Sequence, residues 1–157
     1  MAQRVQIRPA RHDECPLLTA LCLRSKAHWG YDAAFMAQCV AELTVRPDRL
    51  EQNGVWVADI DDVPVGLYEA AIEDSRTLVV ELFFVEPHAM GCGVGRALWQ
   101  HMEHEATRRG LACIDVEADP QALMFYERMG CRLIGEVPSR SIPGRRLPQL
   151  EKRLCDA

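Results

Sequence analysis

The chain has 157 residues, of which 48% are apolar and 26% charged, with a formal net charge of -5. That length suits a single domain, 1–157, with a full core, and the acidic balance argues against a nonspecific nucleic-acid surface, which needs clustered Lys and Arg. No run approaches the roughly 18 uninterrupted apolar residues of a membrane span, and the N-terminus lacks a secretory apolar core, so a cytoplasmic protein with no membrane partner is expected.

Seven cysteines, at 15, 22, 39, 92, 113, 131 and 155, are odd in number and contain no Cys-x-x-Cys pair. Most have apolar neighbours, which predicts buried free thiols and no metal centre.

Val5 and Ile7 alternate with polar residues ahead of Pro9, predicting a strand over Arg4 to Arg8. Asp13 is expected to cap a helix reaching about Lys26, with Pro16 in its first turn and Leu17, Leu18, Leu21 and Cys22 at helical spacing. Ser25 to Tyr31 is then dense in polar and aromatic side chains, and Gly30 breaks it before a second helix over Asp32 to Leu43. Two readings of this corner stand open: a helix–helix junction with a packed Trp29, or one wall of a binding pocket.

Pro47 to Leu50 predicts a short helical or turn segment ending at the turn signal Asn53-Gly54. Val55 to Ile60 and Pro64 to Ile72 read as a hairpin turning at Asp61-Asp62, and Thr77 to Val85 as a third antiparallel strand. Pro87 breaks that run. Gly91, Gly93 and Gly95 then occupy alternate positions before Val94, Ala97, Leu98, Met102 and Ala106 set up an amphipathic helix closed by Gly110.

A strand feeding a glycine loop and a helix has a specific physical meaning. The helix's first amides lack intrahelical partners and its dipole adds positive charge there, so the junction suits an anion, and residues without Cβ let a diphosphate come close. A plain flexible turn is the alternative. No Lys-Ser or Lys-Thr follows, which sets aside a P-loop, and Arg96 stands where a dinucleotide fingerprint has its last glycine. The upstream hairpins leave no crossover helices for a nucleotide-binding parallel sheet.

Cys113 to Glu117 predicts a strand, and Asp119-Pro120 opens a last helix that carries Ala122, Phe125, Tyr126 and Met129 on one face and ends at Gly130. Arg132 to Glu136 and Gln149 to Leu154 suggest a closing hairpin around an arginine-bearing loop.

Val85-Glu86-Pro87 followed by Met90-Gly91-Cys92-Gly93-Val94-Gly95 resembles motif A of the GNAT superfamily of N-acetyltransferases, with Met90 where that family has Gln or Arg. Asp119 to Cys131 resembles the family's second signature, Asn-x-x-Ala-x-x-x-Tyr-Glu-x-x-Gly-Phe, with Asp119 for Asn and Cys131 for Phe. The likeness spans Arg4 to Leu154. It implies an α/β (α+β) fold: a mixed, mostly antiparallel sheet of six to seven strands flanked by about four helices. It also implies direct acetyl transfer from acetyl-CoA to a primary amine of a small molecule or protein. A noncatalytic acyl-CoA-binding or sensor domain of the same fold is the alternative. Dimers are common in that family, so a homodimer is a further expectation.

By the resemblance, Gly91, Cys92, Gly93, Val94, Gly95 and Arg96 would hold the coenzyme's diphosphate. Phe83, Phe84 and Val85 would meet the pantetheine arm and the oxyanion, Asp119 and Tyr126 would complete the coenzyme site, and His28, Trp29 and Tyr31 would line the acceptor side. Tyr126 would act as the acid for the departing thiolate, with a core tyrosine as its bland alternative. A lysine-like amine, pKa about 10.4, is mostly protonated at neutral pH, so a base helps. Strand alternation puts Glu81, Phe83 and Val85 on one face, and an isolated carboxylate in so apolar a run is costly unless it meets water, a partner or substrate. Glu81 is the candidate base, an edge charge or salt bridge its alternatives, and Asp115 and Glu117 the runners-up.

Overall fold

The computed structural model describes residues 4–52 and 54–154; Asn53 of the expected turn and Cys155 lie outside them. In chain order the elements are β1 (Val5–Pro9), α1 (Cys15–Ala27), α2 (Ala33–Leu43), α3 (Pro47–Gln52), β2 (Gly54–Ile60), β3 (Val63–Ile72), β4 (Thr77–Val85), α4 (Val94–Arg108), β5 (Cys113–Glu117), α5 (Leu123–Arg128), β6 (Arg132–Pro138) and β7 (Arg146–Arg153). The strands form one sheet in the order β1-β2-β3-β4-β5-β7-β6. Only β4 and β5 run parallel among the described residues. This is the mixed, mostly antiparallel sheet expected, with five α-helices rather than about four. No helix of the described residues is long and apolar enough to cross a membrane.

Two apolar layers sandwich the sheet. On one face α4 buries Leu98, Trp99 and Met102 against β3 and β5, with Tyr126 of α5 in the same cluster. Burying such side chains stabilises the fold by about 1.5–3 kcal/mol each. On the other face α1 and α2 bury Leu18, Leu21 and Leu43 against Val57, Leu67 and Leu82. Gly66 lets α4 sit tight on β3, since a Cβ there would lie 3.0 Å from Val94 and 3.1 Å from Leu98.

Local chemistry explains most element ends, and one expectation needs correcting. Asp32 caps α2 by accepting the Phe35 amide at 2.8 Å. Asp61 and Asp62 both take positive φ, 52° and 64°, as a two-residue hairpin turn requires, and Asp tolerates that conformation better than most residues. Asp13 does not cap α1: it lies in a 3-10 turn, His12–Glu14, and α1 begins only at Cys15. Glu14 is the acid engaged there. Its carboxylate accepts the Arg11 amide at 2.8 Å and both terminal nitrogens of Arg8 at 2.9 and 2.6 Å. The last helix is also shorter than expected, because Asp119 caps a 3-10 turn, Pro120–Ala122, ahead of Leu123.

The feature that shapes the site lies in β4. Leu82 pairs with Glu69 and Val80 with Ala70 on β3, so Glu81 is an extra residue between them, a β-bulge. The bulge resets the alternation, and Glu81 does not share a face with Phe83 and Val85. Those two pack against the α4 cluster, whereas Glu81 comes within 3.8 Å of Arg49 on α3. Arg49 also pairs with Glu69, whose side chain is fully buried. On its other edge β4 pairs with β5 only from Thr77–Cys113 to Val80–Val116. Beyond Val80 the strands part, and the sheet forks.

Candidate active site

The fork opens into a cleft of about 710 Å³. Glu81, Phe83, Phe84 and Val85 line it from β4, and Gly91, Gly93, Gly95 and Arg96 from the glycine loop and first turn of α4. Asp119 and Tyr126 line it from the β5–α5 connection and α5. Residues separated by up to 45 positions in the chain are thus gathered around one hollow by the parting of two strands.

The loop is built for main-chain contact. A 3-10 turn, Pro87–Ala89, follows β4, and Gly91 and Gly93 have φ of 81° and 83°, a left-handed backbone that glycine adopts without penalty. A Cβ on either would meet nothing within 4 Å, so open space lies over the loop. The Ala97 amide bonds the Gly93 carbonyl at 3.0 Å as the first helical bond. The amides of Gly93, Val94, Gly95 and Arg96 precede it, the orphan donors of a helix start. Arg24 anchors the end of β4 from α1 through two bonds to Glu86, at 3.0 and 2.6 Å. Cys92 and Val94 stand apart from their neighbours. The Cys92 amide is spent on the Ala89 carbonyl at 3.2 Å, and Cys92 is exposed off the cleft. Val94 is 1% exposed, packed into the core, and does not line the cleft.

An aromatic wall backs the cleft. Phe83 lies 5.5 Å from Phe125 and 5.9 Å from Tyr126 between ring centres, and Trp99 lies 6.0 Å from Tyr126. These tilted and edge-on contacts fix the Tyr126 ring. Burial pushes the Tyr126 phenol above its ordinary range, so the hydroxyl keeps its proton at any physiological pH.

The far side of the cleft is polar, and much of it was not legible in the sequence. Asp119 accepts from Lys26 at 3.0 Å and from Tyr31 at 2.9 Å, with Arg145 at 3.4 Å. Arg145 also donates to the Tyr31 hydroxyl at 2.7 Å. Tyr31 and Phe35 stack at 4.1 Å with the Arg145 guanidinium 5.0 and 4.8 Å from their ring centres. Burial alone would raise the Asp119 carboxyl, but the Gln121 amide and the Lys26 cation outweigh it and hold it below the usual range. Burial and Asp119 together push the Tyr31 phenol up to about 12. Lys26 and Arg145 line the cleft and Tyr31 stands behind them. Lys26 lies within the polar-aromatic stretch of the α1–α2 corner, the one local signal for it. Arg145 has no signal beyond the richness of its loop in arginine.

Of the other corner residues, Trp29 is 39% exposed and lines the cleft, while His28 is exposed and touches Trp29 edge-on at 5.7 Å. Glu81 is not the isolated carboxylate expected, since Arg49 lies at 3.8 Å and Arg140 at 4.0 Å.

Residues 22–141 match the family model described as acetyltransferase (GNAT) domain. The chain is 31% identical over 134 residues to the peptidyl-lysine N-acetyltransferase YjaB of Escherichia coli strain K12, covering 83% of this chain and 84% of that one. Among solved structures it is similar to the PaiA N-acetyltransferase of Thermoplasma acidophilum in complex with coenzyme A, with a TM-score of 0.81 at 14% identity, covering 96% of this chain and 99% of that one. It is also similar to a GCN5-related N-acetyltransferase from Rhodopseudomonas palustris, with a TM-score of 0.79 at 21% identity over 98% and 99% of the two chains. The chain belongs to the GNAT family of acetyltransferases. It is an N-acetyltransferase.

Proposed function

We propose that the protein moves the acetyl group of acetyl-CoA directly to a primary amine, with a lysine side chain of a protein as the first acceptor to try, since its curated relative is named for peptidyl-lysine. The carrying observation is the fork itself: it opens β4 between the amide-rich start of α4 and the Tyr126 side chain. A thioester laid along β4 would have phosphate donors at one end and a phenol at the other.

The main-chain amides of Gly91, Gly93, Val94, Gly95 and Arg96 bind the diphosphate at the positive end of α4. The open space over Gly91 and Gly93 fits such a group. Phe83, Phe84 and Val85, which have lost β5 as a neighbour, turn one backbone edge to the pantetheine arm and the oxyanion. Bound acetyl-CoA supplies an activated acyl carbonyl. Glu81 takes a proton from the incoming ammonium, the free amine forms the new C–N bond as the C–S bond breaks, and its nitrogen gives up a second proton to solvent. Tyr126 donates its hydroxyl proton toward the departing sulfur and regains one from solvent. The products are the acetamide, free coenzyme thiol and one proton. Trp29 and Tyr31 shape the acceptor side, Tyr31 by holding Arg145 and Asp119 in place.

Calorimetry with acetyl-CoA, together with thiol release against a panel of lysine peptides and small amines, tests this reading. Saturable coenzyme uptake and amine-dependent thiol release are expected; no uptake would overturn it.

A further inference from the structure

Val80 and Val116 are the last paired residues of β4 and β5. The next residue on each strand is a glutamate, Glu81 and Glu117, so the two lips of the fork carry one carboxylate apiece, both lining the cleft. Among the described residues, one cation spans them. The two terminal nitrogens of Arg140 lie 4.0 Å from Glu81 and 4.0 Å from Glu117. Both distances are too long for hydrogen bonds, and the Arg140 side chain is 65% exposed. Attraction alone holds it there, in contrast to Arg49, which is committed to buried Glu69.

We infer that Glu81 and Glu117 form the seat for the acceptor's ammonium group and that Arg140 occupies it in the free enzyme, leaving when the acceptor enters. The inference rests on the acetyl-transfer reading and adds to it a seat for the acceptor's charged amine and a built-in competitor for that seat. The loop around Arg140 is pinned. Ser139 Oγ accepts the Ser141 and Ile142 amides at 3.3 and 3.1 Å, the Ser139 amide bonds the Arg145 carbonyl at 2.7 Å, and Ile142 packs into the core. Only the Arg140 side chain has to swing. The opposite wall does not attract a second cation, because Lys26 and Arg145 together outweigh Asp119 there.

The test compares N-α-acetyl-lysine amide, cationic at pH 7.5, with aniline, neutral at that pH, as acceptors for the full chain, its Arg140→Gln variant and its Glu117→Gln variant. Removing a partly solvated competing or attracting charge should be worth about two- to five-fold. The ratio of kcat/KM for the lysine amide to that for aniline is expected to rise by that factor in Arg140→Gln, through a lower lysine-amide KM, and to fall in Glu117→Gln. Transfer to both acceptors with an unchanged ratio in Arg140→Gln overturns the inference alone. Transfer to neither, with acetyl-CoA still bound in calorimetry, overturns the acetyl-transfer reading and takes the inference with it.

Discussion

A Cβ on Gly95 would stand 3.0 Å from the Cε1 atom of Phe125, so the first turn of α4 and the aromatic side of α5 meet at a point where a methyl group fits only if the Phe125 ring gives way. Gly95 thereby ties the proposed phosphate site to the helix that carries Tyr126. Gly95→Ala must push the Phe125 ring aside, at a cost of about 1–3 kcal/mol. A lower Tm is expected together with weaker acetyl-CoA binding, read by calorimetry. An unchanged Tm would mean that the ring moves freely and that this contact positions nothing.

Tyr126→Phe removes one oxygen from a ring held on several sides by aromatic contacts, so the fold should be kept. If the hydroxyl serves the departing sulfur, kcat should fall by about 100-fold or more while the Kd for acetyl-CoA changes little. Steady-state kinetics and calorimetry on the same preparation separate the two. Full turnover in this variant would remove Tyr126 as the acid.

Arg49 carries the charge balance beneath the bulge, paired with fully buried Glu69 and within 3.8 Å of Glu81. Arg49→Met takes the paired cation away from a buried carboxylate, which typically costs about 3–5 kcal/mol. Thermal or urea unfolding should show that loss. Adding Glu69→Gln should recover part of it, because a neutral amide needs no countercharge.

His101 bonds the buried Tyr68 hydroxyl through Nδ1 at 2.8 Å and lies tilted against Trp56, 4.4 Å between ring centres. Burial lowers its pKa, against a rise from Glu105 and with a small further lowering from His104. The folded protein therefore binds this proton less readily than the unfolded chain, whose histidine titrates near 6.5. The stability it contributes is complete above pH 6.5 and is lost as pH falls from there toward the lower folded value. Tm should decline between pH 7.5 and 5.5, and His101→Gln should flatten that slope. A slope of the same size in the variant would assign the loss to other groups.

The order of elements was legible because helix and strand periodicities, turn chemistry and caps act within a few residues of the chain. Val85 to Leu98 declares a strand, a left-handed glycine loop and an amphipathic helix by local geometry alone, and the spacing from Asp119 to Tyr126 declares the second signature. Glu81 was placed on the wrong face because period-two alternation has no means of counting an extra residue that only the register against β3 reveals.

What the sequence by itself determined is the run of elements, the family and the two segments that carry the coenzyme motif. Only the tertiary structure decided where β4 and β5 part, that Lys26 and Arg145 converge on Asp119 from 93 and 26 residues away, and that Arg140 bridges the two glutamates at the fork. The reason is physical: these placements follow from strand register and from charges meeting across the sheet, and neither leaves a repeating trace in the chain.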